Sequence, residues 1–198
     1  MSSRTATTRV DEFRAVVSQI VDAAQIRPGD AGHCEVDGFV PDVVVEPSTA
    51  DQLQHVLSEA YTAGVTVVPL GGGAHKGAGN VPESYDVALS LARLDRIIAH
   101  EPADLTVTVE PGVRLADLQT RLAQHGQFVP FDPPCDNAAT IGGILSANAH
   151  GPLRHAYGTA RDWLIGVHVV HADGSMSKSG GRVVKNVAGY DMHKLYVG

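Results

Sequence analysis

Two stretches of this sequence carry residue types that could hold a phosphate-bearing ligand without a cation. The first is Pro69-Leu70-Gly71-Gly72-Gly73-Ala74-His75, directly after a predicted strand. Three successive glycines can take φ > 0 and let a ligand approach the backbone closely. Their N–H groups can then form a nest around an anion. A pyrophosphate held this way needs only amide donors, so an acidic chain can bind it. Two better-known phosphate loops do not fit. A GxGxxG pattern from Gly71 would need glycine at position 76, which is Lys76. A Walker A loop from Gly72 finds Gly77 in place but then Ala78-Gly79 instead of Lys-Ser/Thr. Both also open a helix, which Gly77, Gly79, Asn80 and Pro82 oppose. The plainer reading is a surface turn, and the triple glycine alone does not choose between the two. If the loop binds a ligand, valine at Gly72 is expected to fill the ligand's space and to strain a φ > 0 backbone.

The second stretch is residues 132–158, DPPCDNAATIGGILSANAHGPLRHAYG. Thr140, Gly142, Gly143, Ser146, Ala147, Asn148, Ala149 and Gly151 are small or polar, and would leave room against a flat ligand. A buried helical core would not choose them.

The flanking elements must position these stretches. Apolar residues from Val10 to Ala24 recur at helical spacing, predicting a helix over residues 10–25 that ends at Pro28-Gly29. Residues 42–46 read as a buried strand. Thr49 is placed to cap the next helix and Gly64 to stop it. Residues 65–70 form another strand, so strand-helix-strand suggests a parallel unit with a right-handed crossover. A short strand near 87–90, an alternating strand at 105–110 and a helix from Leu115 to Gly126 follow. Residues 128–140 read as loop and 163–171 as a long strand, with Trp163 in the core. Asp173-Gly174 is a hairpin turn before a strand from Ser175. The sum is α/β for the first half and α+β for the second, changing over near residues 100–105.

Composition narrows the function. The net charge is −7 and no stripe of Lys or Arg exists, which opposes a nucleic-acid partner. The two cysteines, Cys34 and Cys135, are far apart, so a disulfide framework is not supported and a reducing, cytoplasmic compartment fits. The N-terminus lacks the apolar core of a signal peptide. No stretch approaches the ~20 apolar residues of a membrane span. His150 with His155, and His168 with His171, lack the companion ligands of a metal site. The absence of GxSxG leaves a hydrolase unsupported.

The ordered set PLGGGAH, TIGGILSANAHG, YGTARD, VVHADG and VVKNVAGYDMHKLYVG resembles the FAD-binding domain of the vanillyl-alcohol oxidase and p-cresol methylhydroxylase superfamily, over residues 40–198. GRVVKNVAGYDMHKLYVG is most similar to the FAD-binding subunit of bacterial glycolate oxidase. The resemblance implies an α+β fold of two α/β subdomains with FAD between them, preceded by an N-terminal helical segment over residues 1–39. It implies that residues 69–75 cradle the pyrophosphate. It implies that Pro134, Cys135, Asp136, Asn137, Ala138, Ala139, Thr140, Gly142, Gly143, Ser146, Ala147, Asn148 and Ala149 line the flavin and its ribityl chain. Tyr157 and Gly158 are expected to shape the fold around the site, and Tyr190 to pack near the cofactor or serve structure. Relatives that bind FAD covalently carry histidine where this chain has Ala74, so non-covalent FAD is expected. The family pattern continues beyond KLYVG into a Ser-x-Gly-Thr-Leu-Gly type segment and a substrate domain, so the chain is expected to be incomplete at its C-terminus. The implied activity is oxidation of a small 2-hydroxy acid, with electrons passed to an iron–sulfur subunit beside a second flavin subunit. Association with a membrane would run through those partners. No catalytic residue is assigned. The alternative is a non-catalytic binding or assembly module, or a fragment with weakened FAD affinity.

Overall fold

A computed structural model describes residues 3–30, 33–134, 138–181 and 190–198, with side chains of the first helix described from Arg9 onward. The chain divides into two units. The first comprises residues 1–70, 76–94 and 170–177; the second comprises 71–75, 95–169 and 178–198.

In the first unit, α1 (Ser3–Val17) and α2 (Ala50–Ala63) pack with a four-stranded sheet of β1 (Ile26–Pro28), β2 (Val43–Val45), β3 (Val67–Leu70) and β4 (Val87–Ser90). The strand order is β1-β2-β4-β3, with β1 antiparallel to β2 and both β2 and β3 parallel to β4. The predicted strand-helix-strand unit is therefore parallel, but β4 lies between its two strands. The three valines of β2 are all buried, as a strand covered on both faces requires. Val43, Val45, Val87 and Leu89 meet Phe13, Val17, Val56 and Ala60 on one side. Val44 and Ala88 meet Cys34, Val36, Leu70 and Tyr85 on the other. The Tyr85 hydroxyl has no hydrogen-bond partner among the described residues, and burial pushes its pKa up to about 12, with the nearby Cys34 and Asp30 adding to the shift.

Local chemistry sets the helix ends. The Thr49 hydroxyl accepts from the Gln52 N–H, and Gly64 takes φ 64° while its own N–H reaches the Ala60 carbonyl. The first helix stops at Val17, short of the predicted residue 25. A turn follows in which Val21 still reaches the core. Asp22 then caps a short turn of 3-10 helix over Ala23–Gln25 that leads into β1, an element the helical periodicity concealed. Residues before position 40 thus supply α1 and β1 to this unit.

In the second unit, β5 (Ile97–Glu101) and β6 (Thr106–Val109) form an antiparallel hairpin, and α3 (Leu115–Ala123) buries Leu115, Leu118 and Leu122. Buried Glu110 follows β6. Its carboxylate accepts from the Arg96 backbone N–H at 2.8 Å and from the Arg96 guanidinium at 2.7 Å. The Arg96 hydrogen bond holds the Glu110 pKa below the usual carboxylate range.

Three short helices, α4 (Ile141–Ser146), α5 (Arg154–Tyr157) and α6 (Ala160–Trp163), follow the predicted loop of residues 128–140, in a stretch to which the sequence assigned no element before residue 163. Helix α4 forms despite two glycines because Thr140 caps it and Ile141 and Ile144 are buried beneath it. The predicted strand 163–171 is shortened to β7 (Gly166–Val170), since Thr159 and Asp162 form a capping box that starts α6. Trp163 is 47% exposed rather than core. Its ring N–H donates to the Tyr157 carbonyl, which spares it burial. β8 (Met176–Gly180) pairs with β7, and the Asp173-Gly174 turn joins them as expected.

Candidate functional site

The glycine loop leaves β3 and enters the second unit at Gly71. Pro69 is exposed and Leu70 buried at the end of the strand, where the Leu70 carbonyl accepts from Leu91 N–H. Gly71 and Gly72 then run tightly against residues 138–140. A Cβ on Gly71 would stand 2.5 Å from the Thr140 hydroxyl, and one on Gly72 would stand 1.4 Å from the Ala138 carbonyl oxygen. Glycine at position 72 is demanded by close backbone approach, and at position 71 by the buried Thr140 side chain. The left-handed conformation falls one residue later, at Gly73, with φ 76°. The expected positive φ at Gly72 is therefore corrected: a side chain there meets the neighbouring chain first. Ala74 and His75 are half-buried at the end of the loop. Among the described residues, none accepts a hydrogen bond from the N–H groups of residues 71–75. A run of unspent amides beside backbone without side chains is what an anion nest requires.

The second stretch is strapped down by backbone bonds. Ala139 carbonyl accepts from Leu115 N–H, Ile141 N–H donates to Val113, and Gly142 N–H donates to Pro111 at 2.8 Å. Gly142 must be glycine here, since a Cβ would lie 2.7 Å from Pro111. Buried Thr140 serves three neighbours: it bridges Arg114, caps α4 through the Gly143 N–H and borders Gly71. Thus Gly71, Gly72, Ala138, Ala139, Thr140, Gly142 and Gly143 come together. Exposed Ser146 donates to the Gly142 carbonyl, and Ala149 is buried. Half-buried Ala147 donates its N–H to the Gly143 carbonyl. Pro134 is exposed, while Cys135, Asp136 and Asn137 lie outside the described residues.

Asn148 stands apart. It takes the left-handed φ of 43°, uncommon outside glycine, and its buried side-chain oxygen has no hydrogen-bond partner among the described residues. A buried carbonyl left unmatched costs about 1–3 kcal/mol. A ligand donor arriving beside residues 146–149 would remove that cost. The unspent amides of 71–75 and this orphan oxygen fit a ligand with a diphosphate and a polar heterocycle, as FAD has.

Other residues the sequence singled out have different places. Tyr190 is 88% exposed. Tyr157 packs edge-on against Phe128, and Gly158 takes a left-handed turn beside Asp162. His155 is exposed, whereas His150 is bonded to the Asn148 carbonyl and to Arg154. Asp132 was not foreseen. Its carboxylate accepts from the N–H groups of Gly151 and Leu153, closing the far end of the segment. The only signal for it was an Asp before two prolines.

With this geometry in view, known proteins decide the family. The model of a family described as FAD binding domain matches residues 41–180. The chain belongs to this FAD-binding family. Its FAD-binding domain is of the p-cresol methylhydroxylase type that the motifs resemble, and FAD is the cofactor. It is 35% identical to glycolate oxidase subunit GlcD of Bacillus subtilis over 80% of this chain and 34% of that protein. It is 32% identical to the mitochondrial D-lactate dehydrogenase (cytochrome) of Arabidopsis thaliana, over 87% of this chain and 30% of the other. A D-2-hydroxyglutarate dehydrogenase of Stutzerimonas stutzeri is 30% identical over 96% and 41% of the two chains. This chain thus spans about a third of the length of these relatives. Among solved structures, an alkyldihydroxyacetonephosphate synthase superposes with a TM-score of 0.81 at 20% identity, covering 95% of this chain and 37% of the other. That likeness shows the fold. Among the described residues no helix is long and apolar enough to cross a membrane.

Proposed function

We propose that this chain is the FAD-binding part of a flavin-dependent oxidoreductase that oxidises a small 2-hydroxy acid. The observation that carries the reading is the run of unspent N–H groups at Gly71–His75, packed on residues 138–140 within a matched FAD-binding domain. Residues 40–198 act as the FAD-binding domain in this reading, with residues 1–39 as a leading segment built onto it.

FAD supplies the hydride-accepting ring; the protein binds and orients it. The amides of residues 71–75 hold the diphosphate. Gly142, Gly143 and Ala147 give the flavin side a surface without bulk, and the Asn148 amide offers it a hydrogen-bonding edge. Pro134, Ala138 and Ala139 border the same ligand, and Thr140 ties that border to the glycine loop. Ala74 has no nucleophile, so the cofactor is held non-covalently. The relatives named for glycolate, D-lactate and D-2-hydroxyglutarate all act on 2-hydroxy acids, which supports that substrate class. The GlcD relative is named as a subunit, which supports electron transfer within an assembly containing a second flavin subunit and an iron–sulfur subunit. A soluble, cytoplasmic assembly that touches a membrane only through such partners fits this reading.

The visible spectrum tests the assignment. Purified protein mixed with FAD and desalted is expected to show the two visible flavin bands. Acid precipitation is expected to leave the flavin in the supernatant. A colourless desalted protein would overturn the FAD site, and a yellow washed pellet would overturn non-covalent binding. With D-lactate or glycolate and an artificial acceptor, the 198-residue chain alone is expected to show no turnover above free flavin. Steady turnover would show that it carries its own substrate residues.

A further inference from the structure

The turn that carries Asn148 is gripped by a histidine to which the flavin reading gives no task. His150 Nδ1 lies 2.6 Å from the Asn148 carbonyl oxygen, and Nε2 lies 2.6 Å from an Arg154 guanidinium nitrogen. A carbonyl can only accept and a guanidinium can only donate. The two neighbours therefore fix the tautomer: Nδ1–H donates to Asn148, and Nε2 accepts from Arg154.

The grip falls where the backbone needs it. Asn148 holds φ 43°, and a left-handed non-glycine residue persists only where its surroundings over-determine it. On one side, Asn148 and Ala149 donate their N–H groups to Leu145 and Ile144. On the other, the Asp132 carboxylate takes the N–H groups of Gly151 and Leu153. The Asn148 carbonyl lies between these clamps, and the imidazole holds it. The side chain so oriented is the one with the buried, unmatched oxygen.

We propose that His150 is a positioning residue for the cofactor, with Arg154 as its brace. It locks the left-handed turn at Asn148 so that the Asn148 carboxamide presents its unmatched oxygen to FAD. The inference rests on the reading that residues 146–149 border the cofactor.

The test titrates FAD into the 198-residue chain and follows quenching of flavin fluorescence. Removing one ligand hydrogen bond in Asn148→Ala is expected to weaken binding roughly tenfold. His150→Ala is expected to weaken it by about half as much on a logarithmic scale, roughly threefold. In the Asn148→Ala background the same change should cost almost nothing, because no amide remains to be aimed. His150→Asn keeps an N–H for the Asn148 carbonyl and should restore most of the affinity. Melting of the FAD-free variants reports folding separately. Unchanged affinity in His150→Ala, or losses that simply multiply in the double variant, would overturn the positioning role. Wild-type affinity in Asn148→Ala would overturn the border reading itself, and with it this inference.

Discussion

The valine sheet of the first unit and the glycine-rich stretch of the second are held by opposite means. Around β2 and β4, side chains fill the space: Phe13, Val17, Val56 and Leu89 converge on Val43, Val45 and Val87. Around Gly72 main chain touches main chain, and Gly71 and Gly142 stand so close to the Thr140 hydroxyl and to Pro111 that none of the three has room for a side chain of its own. The first arrangement is harmed by removing atoms and the second by adding them. Among the described residues, the second leaves the amides of residues 71–75 without an acceptor, open to a ligand.

Substitutions can break this contrast, beginning with the glycine loop. Gly72→Val places carbon on the Ala138 carbonyl, so the loop must move. FAD binding should be lost, and stability should fall by about 3 kcal/mol or more, beyond ordinary overpacking. Flavin retention in a folded Gly72→Val protein, read from the desalted spectrum, would show that the loop does not hold the cofactor. Phe13→Ala tests the other region. It should cost about 3–5 kcal/mol in urea unfolding while FAD affinity in the folded protein stays unchanged. A large loss of affinity in that variant would erase the distinction.

Glu110 sharpens the comparison through pH. Arg96 holds its folded pKa down, so its contribution is present above the unfolded value of ~4.3 and is lost as pH falls through the lowered folded value. Glu110→Gln should destabilise by roughly 1 kcal/mol at neutral pH, discounted because Arg96 is mostly exposed. The gap to wild type should narrow as the pH falls through the lowered folded value. A gap independent of pH would mean that shape, and not the ion pair, holds β6 in place. The smallest effect is expected at Ser146, whose exposed hydroxyl donates to Gly142. Ser146→Ala should cost under about 1 kcal/mol in thermal unfolding; a larger loss would make that bond part of the α4 framework.

The sequence by itself determined the elements whose side chains announce them. The Thr49 cap and Gly64 stop, the all-valine β2, the Leu115-Leu118-Leu122 face and the Asp173-Gly174 turn are local signals, and each appears where its chemistry puts it. The ordered motifs also identified the FAD-binding family: those from PLGGGAH to VVHADG lie in the 41–180 region its model matches. Tertiary structure decided the rest. Whether Val10–Ala24 stays one helix depends on where Val21 finds the core. That β4 lies between β2 and β3 depends on pairing between strands distant in sequence. Helix α4 depends on buried Ile141 and Ile144, which outweigh two glycines of poor helix propensity. The reason for Gly72 lies at Ala138, and that for the turn at Asn148 lies partly at Asp132 and Arg154. Periodicity reports how a residue meets its own helix or strand. It carries no record of which distant backbone will come within contact distance, and at this site that approach decides the geometry.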